Sequence, residues 1–203
     1  MPEMDHTAEV RRLAERGSAA AAELFEEYRE RLRLMVKFRL DDRVLGRIEP
    51  DDVLQEASLE VTRRVDDYLK DPQVPPFVWM RMITLQKTID THRRHLDADK
   101  RNAAQDVRLG LQVPWKSTSL SLAAQLVASI TSPSEALLRQ ESLQRMGDAL
   151  EELSEQDREI LVLRHLEELT NNEAAQVLGL EKSAATKRYI RALKRLREAM
   201  EDE

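Results

Sequence analysis

Between residues 154 and 197 the sequence dictates where helices begin and end more tightly than elsewhere in the chain. Ser154 stands three residues before Asp157, and Thr170 three before Glu173. Each pair resembles a capping box, in which the hydroxyl accepts from the backbone N–H three residues on and the carboxylate reaches back to the N–H of the capping residue. The first opens a helix with Ile160, Leu161, Leu163 and Leu166 inward; the second opens a short helix with Ala174, Val177 and Leu178 as its apolar side. Gly179 fits the left-handed position that ends that short helix. After a Gly-Leu-Glu turn comes a longer helix carrying seven Lys or Arg residues and no acid between Lys182 and Arg197. Ala185, Tyr189, Ala192, Leu193 and Leu196 can face a core, which leaves Lys182, Ser183, Thr186, Lys187, Arg188 and Arg191 outward. A short helix, a glycine turn and a basic helix form a helix-turn-helix, whose second helix enters the DNA major groove. A basic helix can also be no more than a solvated face, but the capped short helix and glycine turn at this spacing favour DNA.

That much local positive charge is out of character with the whole. The 203 residues sum to a net charge of −6. The negative charge is gathered elsewhere: ten acids against five bases lie between Asp41 and Asp71, and eight against three between Glu135 and Glu159. Acidic surfaces repel DNA, so these stretches fit a basic protein partner or solubility, while the basic helices fit nucleic acid. Only five glycines and eight aromatic residues occur, and Leu, Ala, Glu and Arg dominate, so an all-α fold is expected. Cysteine is absent, which excludes disulfides, thiolate zinc sites and thiol nucleophiles. No apolar run reaches the length of a membrane span and the charged N-terminus does not resemble a signal peptide, so a cytoplasmic protein with no membrane partner is expected.

The N-terminal half is also patterned as helices. Over 18–40, Leu24, Tyr28, Leu32 and Met35 recur at steps of four and three, with Ser18 as N-cap and Gly17 before it. A second helix starts at Pro50, with Asp51 and Asp52 at its positive end and Val53, Ala57, Val61 and Val65 inward. It should stop near Leu69, because the residues before the prolines of DPQVPP are pushed out of the helical region. A third starts near Phe77, with Val78, Met82, Leu85, Ile89 and Leu96 as its apolar stripe, widened by Trp79 and Ile83, and Arg81, Lys87, Arg93 and Arg94 opposite. Periodicity fades from about 106 to 135, which reads as a linker with room for a short helix in SLAAQLVAS. The expected organisation is two small helical domains, an N-terminal bundle over 1–105 and a four-helix C-terminal domain with the helix-turn-helix over 141–203. A flexible linker, 106–140, joins them.

Three stretches in this order resemble the extracytoplasmic-function (ECF) group of bacterial RNA polymerase sigma factors, in the sigma-70 family. DDVLQE, 51–56, is similar to the family's E-D-L-V-Q-E. FVWMRMITLQKTIDTHRRH, 77–95, is similar to its F-x-x-W-L-Y-R-I-A-x-N-x-x-x-D-x-x-R-R helix. Residues 153–197 resemble its C-terminal domain. The resemblance implies that Asp51, Asp52, Gln55 and Glu56 bind core RNA polymerase at the clamp coiled coil of its largest subunit. It implies that Phe77, Trp79, Gln86, Lys87, Arg93 and Arg94 serve the minus-ten promoter element, and that 70–76 corresponds to the loop that captures a flipped base. Lys182, Ser183, Thr186, Lys187, Arg188 and Arg191 would sit in the minus-thirty-five element, with the flap of the second-largest subunit nearby. Promoter DNA and an anti-sigma factor are the other partners it implies; no cofactor and no catalytic role follow. The sequence departs from the family pattern at Gln86, where Asn is usual, at Met82, where Arg is common, and at Glu181, where Ser or Thr usually caps the recognition helix. Trp79 fits either core packing or DNA contact.

Two rival classes compete with this one. Asp51, Asp52 and Glu56 could hold magnesium as in helical phosphohydrolases, and His92 with His95 could ligate a metal, but neither set has further converging ligands in the sequence. A helix-turn-helix regulator acting without core polymerase would share the C-terminal unit, but not the two N-terminal motifs.

Overall fold

The computed structural model describes residues 6–40, 48–99, 122–124, 126 and 136–201. The described residues are helical with connecting turns, in two compact units, Met1–Val113 and Pro114–Glu203. Most of the expected linker, 106–140, lies outside the described residues. Within it Leu122, Ala123 and Leu126 are helical and buried, and the next helix already begins at Ala136.

In the first unit α1 spans His6–Glu27, α2 Arg29–Arg39, α3 Pro50–Lys70 and α4 Pro76–Asp99. Helix α1 is bent sharply at Gly17, whose backbone sits at φ 55, ψ −131, a combination open in practice only to glycine. The bend is a reversal. Arg12 donates to Glu27 at 2.7 Å and to Glu23 at 2.9 Å, and Arg16 donates to Glu23 at 2.5 Å. In a straight helix residues 12 and 27 would stand about 22 Å apart. Gly17 therefore separates two antiparallel arms rather than preceding a helix capped by Ser18, and the arm before it has no counterpart in the sequence pattern. That first arm shows few apolar residues, yet its Leu13 is fully buried with Ala20, Ala21, Leu24 and Phe25 of the second.

Tyr28 interrupts the helix for one residue before α2, and the expected inward set Leu24, Tyr28, Leu32 and Met35 is buried. Helix α3 starts with Pro50 in its first turn, carries Asp51 and Asp52 beside its positive end, and buries Val53, Leu54, Ala57, Val61, Val65 and Tyr68. It packs on α1 and α4, and α2 lies against α3 and α4. The Tyr68 hydroxyl donates to the Val74 carbonyl at 2.7 Å, which ties the proline-rich turn to α3 before α4 begins.

Helix α4 corrects the expected register. Val78 and Ile83 are buried, but Met82, placed in the inward stripe, is 54% exposed, and Arg81, placed on the opposite face, is buried. Besides Val78 and Ile83, the buried residues of α4 include Phe77, Met80, Arg81, Thr84, Thr88 and Thr91. Threonine can line a core because its hydroxyl can bond back along its own helix. Thr84 donates to the Met80 carbonyl and Thr88 to the Thr84 carbonyl, both at 2.8 Å. Burial then leaves neither hydroxyl unsatisfied.

In the second unit α5 spans Ala136–Glu152, α6 Glu155–His165, α7 Asn171–Val177 and α8 Lys182–Glu201. The Ser154 hydroxyl accepts from the Asp157 N–H at 3.2 Å, as the capping pattern demands. The Asp157 carboxylate is engaged by Arg195 of α8 at 2.6 Å. At Thr170 the reciprocal box is complete: its hydroxyl accepts from the Glu173 N–H at 3.2 Å, and Glu173 accepts from the Thr170 N–H at 2.7 Å. Gly179 takes φ 63 and ends α7 as expected. From Asp157 to Leu163 every residue of α6 is buried, so this helix is the centre of the unit, and α8 packs on α5, α6 and α7 through Ala185, Ala192 and Leu196.

A Cβ added at Gly17 would meet nothing within 4 Å, so any cost of Gly17→Ala comes from the backbone alone. We expect a loss of about 1–3 kcal/mol, measured by denaturant unfolding of the full chain; an unshifted midpoint would contradict it. The Glu23 carboxyl is held down to about 2 from an ordinary 4.5 by hydrogen bonds from Arg16 and then Arg12. A depressed carboxyl stabilises the folded state at neutral pH, and that contribution disappears as pH falls from about 4.5 toward 2. Unfolding midpoints at pH 7 and pH 3 should differ less in Glu23→Gln than in the unaltered chain.

Candidate nucleic-acid and protein interface

Helix α8 divides its charge between two tasks. Arg195 reaches the buried Asp157, and Lys194 pairs with Glu198 at 3.5 Å. Lys187 and Arg191 are exposed and Arg188 is half-buried, and none of the three has a carboxylate partner among the described residues. Lys182, Ser183 and Thr186 are exposed at the start of the same helix. The six residues expected to face outward therefore share one accessible end of α8, with Arg188 at its edge. This arrangement can meet a polyanion at several phosphates, and small Ser183 and Ala184 let the helix backbone come close.

The turn preceding α8 is braced by a residue that the sequence pattern does not single out. Asn171, the first residue of α7, donates from its side-chain amide to the Lys182 carbonyl at 3.1 Å and to the Thr186 hydroxyl at 3.0 Å. The Thr186 hydroxyl in turn donates to the Lys182 carbonyl at 2.9 Å. These bonds fix the angle between the two helices of the motif. Asn171 follows the Thr170 cap, which is the one signal available; its partner lies eleven residues on, a distance that local pattern does not span. From the other side, Tyr189 meets His165 of α6 at 3.0 Å, and burial lowers the His165 pKa.

In the first unit the acidic face of α3 is partly engaged by arginines. Asp51 accepts from Arg29 at 3.0 Å and Arg33 at 3.3 Å, and its carboxyl is lowered first by Arg29. Glu56 pairs with Arg94 of α4 at 2.9 Å. Asp52, Gln55 and Glu56 are exposed, and Leu59, 55% exposed, continues their line one turn on. Leu59 gives no sign of this in the sequence, because one leucine among polar residues has no periodic signature. Asp51 and Glu56 are thus occupied by arginines, and no three His, Asp or Glu side chains gather as a metal site among the described residues. The side chains of His92 and His95 lie outside the described residues.

The residues expected at the minus-ten element fall into three places. Phe77 is 1% exposed, tilted against Tyr28 at 4.9 Å between ring centroids, with the Arg31 guanidinium 3.7 Å from its ring centre. It offers no face to a base, so the expectation of DNA contact is corrected: Phe77 is a core residue. Trp79 is half-buried and stacked on Tyr68 at 4.4 Å, and it shares an outward strip of α4 with Met82, Gln86 and Arg93. The Gln86 amide donates to Asp90 at 3.0 Å. Lys87 and Arg94 lie on the edge toward α3, paired with Glu60 at 3.5 Å and Glu56 at 2.9 Å.

Comparison with known proteins agrees with this geometry. Residues 143–196 match the family described as "Sigma-70, region 4", a span that runs from within α5 to within α8. The chain is 23% identical to the RNA polymerase sigma-D factor of Bacillus subtilis (strain 168), over 99% of this chain and 81% of that protein. It is also 23% identical to the ECF RNA polymerase sigma factor SigW of the same organism, over 90% of each. Among solved structures, that of CnrH in complex with the cytosolic domain of CnrY shares the fold, with a TM-score of 0.51 and 21% identity over 97% of both chains. The capped helix-turn-helix thus lies in the region matched to sigma-70 region 4, and both sigma-factor relatives align along nearly the whole chain.

Proposed function

We propose that this chain is an RNA polymerase sigma factor of the extracytoplasmic-function group and that it distributes its work over three surfaces. The exposed face of α3, with Asp52, Gln55, Glu56 and Leu59, docks on the clamp coiled coil of core RNA polymerase. The outward strip of α4, with Trp79, Gln86 and Arg93, meets the opened minus-ten strand, where an aromatic ring beside a cation suits an unstacked base. Lys87 and Arg94 join it on release from Glu60 and Glu56. Helix α8 enters the major groove of the minus-thirty-five element, with Lys182, Ser183, Thr186, Lys187, Arg188 and Arg191 along the duplex, and the C-terminal unit sits at the flap of the second-largest subunit. The division into 1–105, 106–140 and 141–203 follows these tasks, with the linker joining them.

The observation that carries this reading is the pair of exposed cations Lys187 and Arg191, with half-buried Arg188 at their edge and none of the three paired with a carboxylate among the described residues, on the second helix of a capped helix-turn-helix. Reaction chemistry is left to the polymerase, and the chain works in the cytoplasm, where core polymerase is. An anti-sigma protein is the expected restraint, a reading supported by the fold shared with CnrH, which was solved with the cytosolic domain of CnrY. Run-off transcription with core polymerase and a promoter library tests the whole: transcripts starting at a recurrent promoter are expected, and none would overturn it.

Two narrower outcomes follow from the geometry. In the double variant Lys187→Ala, Arg188→Ala, upstream-element affinity should fall and log K against log salt should flatten by roughly one unit for each phosphate no longer neutralised. A slope equal to that of the unaltered protein would show that neither side chain meets a phosphate. The side chain of Asp52 is exposed, so Asp52→Lys should leave the helical circular dichroism intact. Its association with core polymerase should weaken by roughly tenfold, read by cosedimentation; undiminished association would remove α3 from the interface.

A further inference from the structure

Helix α8 exposes one large apolar side chain, Ile190, 59% accessible. At 3.6 residues per turn, Ser183, Lys187, Ile190 and Lys194 form the centre of the strip opposite the buried Ala185, Ala192 and Leu196. Ile190 therefore points away from the core. Its neighbours one turn away on the surface, Thr186, Lys187 and Lys194, are polar or charged, and Arg191 flanks it. Among the described residues no second exposed large apolar side chain on α8 joins it to make a patch for a protein: the other two, Leu59 and Met82, belong to the first unit.

An apolar group ringed by cations fits a ligand that is anionic around a small apolar centre. DNA read from the major groove has that form, and its one apolar base-edge group is the 5-methyl of thymine. The distance is suitable: Ile190 lies seven residues beyond Ser183, about 10 Å along the helix, within a groove about 12 Å wide. We propose that Ile190 reads a thymine methyl group in the upstream promoter element and so sets the sequence preference at one base pair. The inference rests on the reading of α8 as the helix that enters the groove, and it adds a specificity-determining residue to the polar set expected there.

The test uses the full chain bound to core polymerase. Its preferred upstream element is first selected from duplexes randomised in that segment; each thymine of the selected element is then replaced singly by deoxyuridine, which removes only the methyl. At one position the loss should weaken binding about three- to fourfold. In Ile190→Ala the difference between thymine and deoxyuridine at that position should shrink to within error, and Ile190→Val should fall between. Exposure of Ile190 makes both substitutions harmless to the fold, which circular dichroism checks. A selected element without thymine, indifference to methyl loss at every thymine, or a difference that persists in Ile190→Ala would each overturn the assignment while leaving α8 as the DNA-binding helix. Recovery of no preferred upstream element at all would instead remove the reading of α8, and this inference with it.

Discussion

The packing of Ala185, Ala192 and Leu196 against α5, α6 and α7 is the interaction on which the outward cationic surface of α8 depends. Alanines at two of these positions let α8 approach its neighbours closely, and that closeness brings Arg195 to Asp157 and Tyr189 to His165. The inner line fixes the rotation of the helix about its own axis. Once that rotation is set, Ser183, Lys187, Ile190 and Lys194 can only point to solvent. Like charges one turn apart on this helix repel, which opposes the good helix propensity of its Ala, Leu, Lys and Arg residues. Tertiary contact holds it in place, and one of its arginines is used as part of that contact.

Charge segregation in the first unit follows a related logic. Acidic α3 and basic α4 lie side by side, so Glu56 meets Arg94 and Glu60 meets Lys87. The Glu56–Arg94 pair is exposed and correspondingly weak, of the order of 0.2–1 kcal/mol. Such a pair neutralises opposite charges on neighbouring helices at little cost to later separation.

Legibility in the sequence varies with the reach of the interaction concerned. The Thr170–Glu173 box, the Gly179 terminus, Pro50 at the start of α3 and the stop before DPQVPP all depend on residues within one helical turn, and each stands where the sequence put it. The register of α4 departs from its apolar pattern because threonine counts as polar in a sequence, although Thr84 and Thr88 satisfy their hydroxyls on their own helix. Phe77 has the look of a stacking surface, although its ring fills the space between Tyr28 and Arg31. The first arm of α1 is hidden in the sequence because its few apolar residues make sense only against the second arm, folded back at Gly17.

The sequence by itself determined that this chain is helical, where most helices start and stop, and that its positive charge gathers on α8 away from the acidic stretches. These are consequences of hydrogen bonding and torsional limits over a few residues. Only the tertiary structure decided which of the charged residues are spent on the fold and which remain for a partner. Arg195 and Arg94 look like Arg191 in the sequence, yet two of the three are paired with carboxylates thirty-eight residues away in the chain. Which side of a helix faces a neighbour, and which carboxylate a cation meets there, are set by packing between distant segments, a relation that local pattern does not encode.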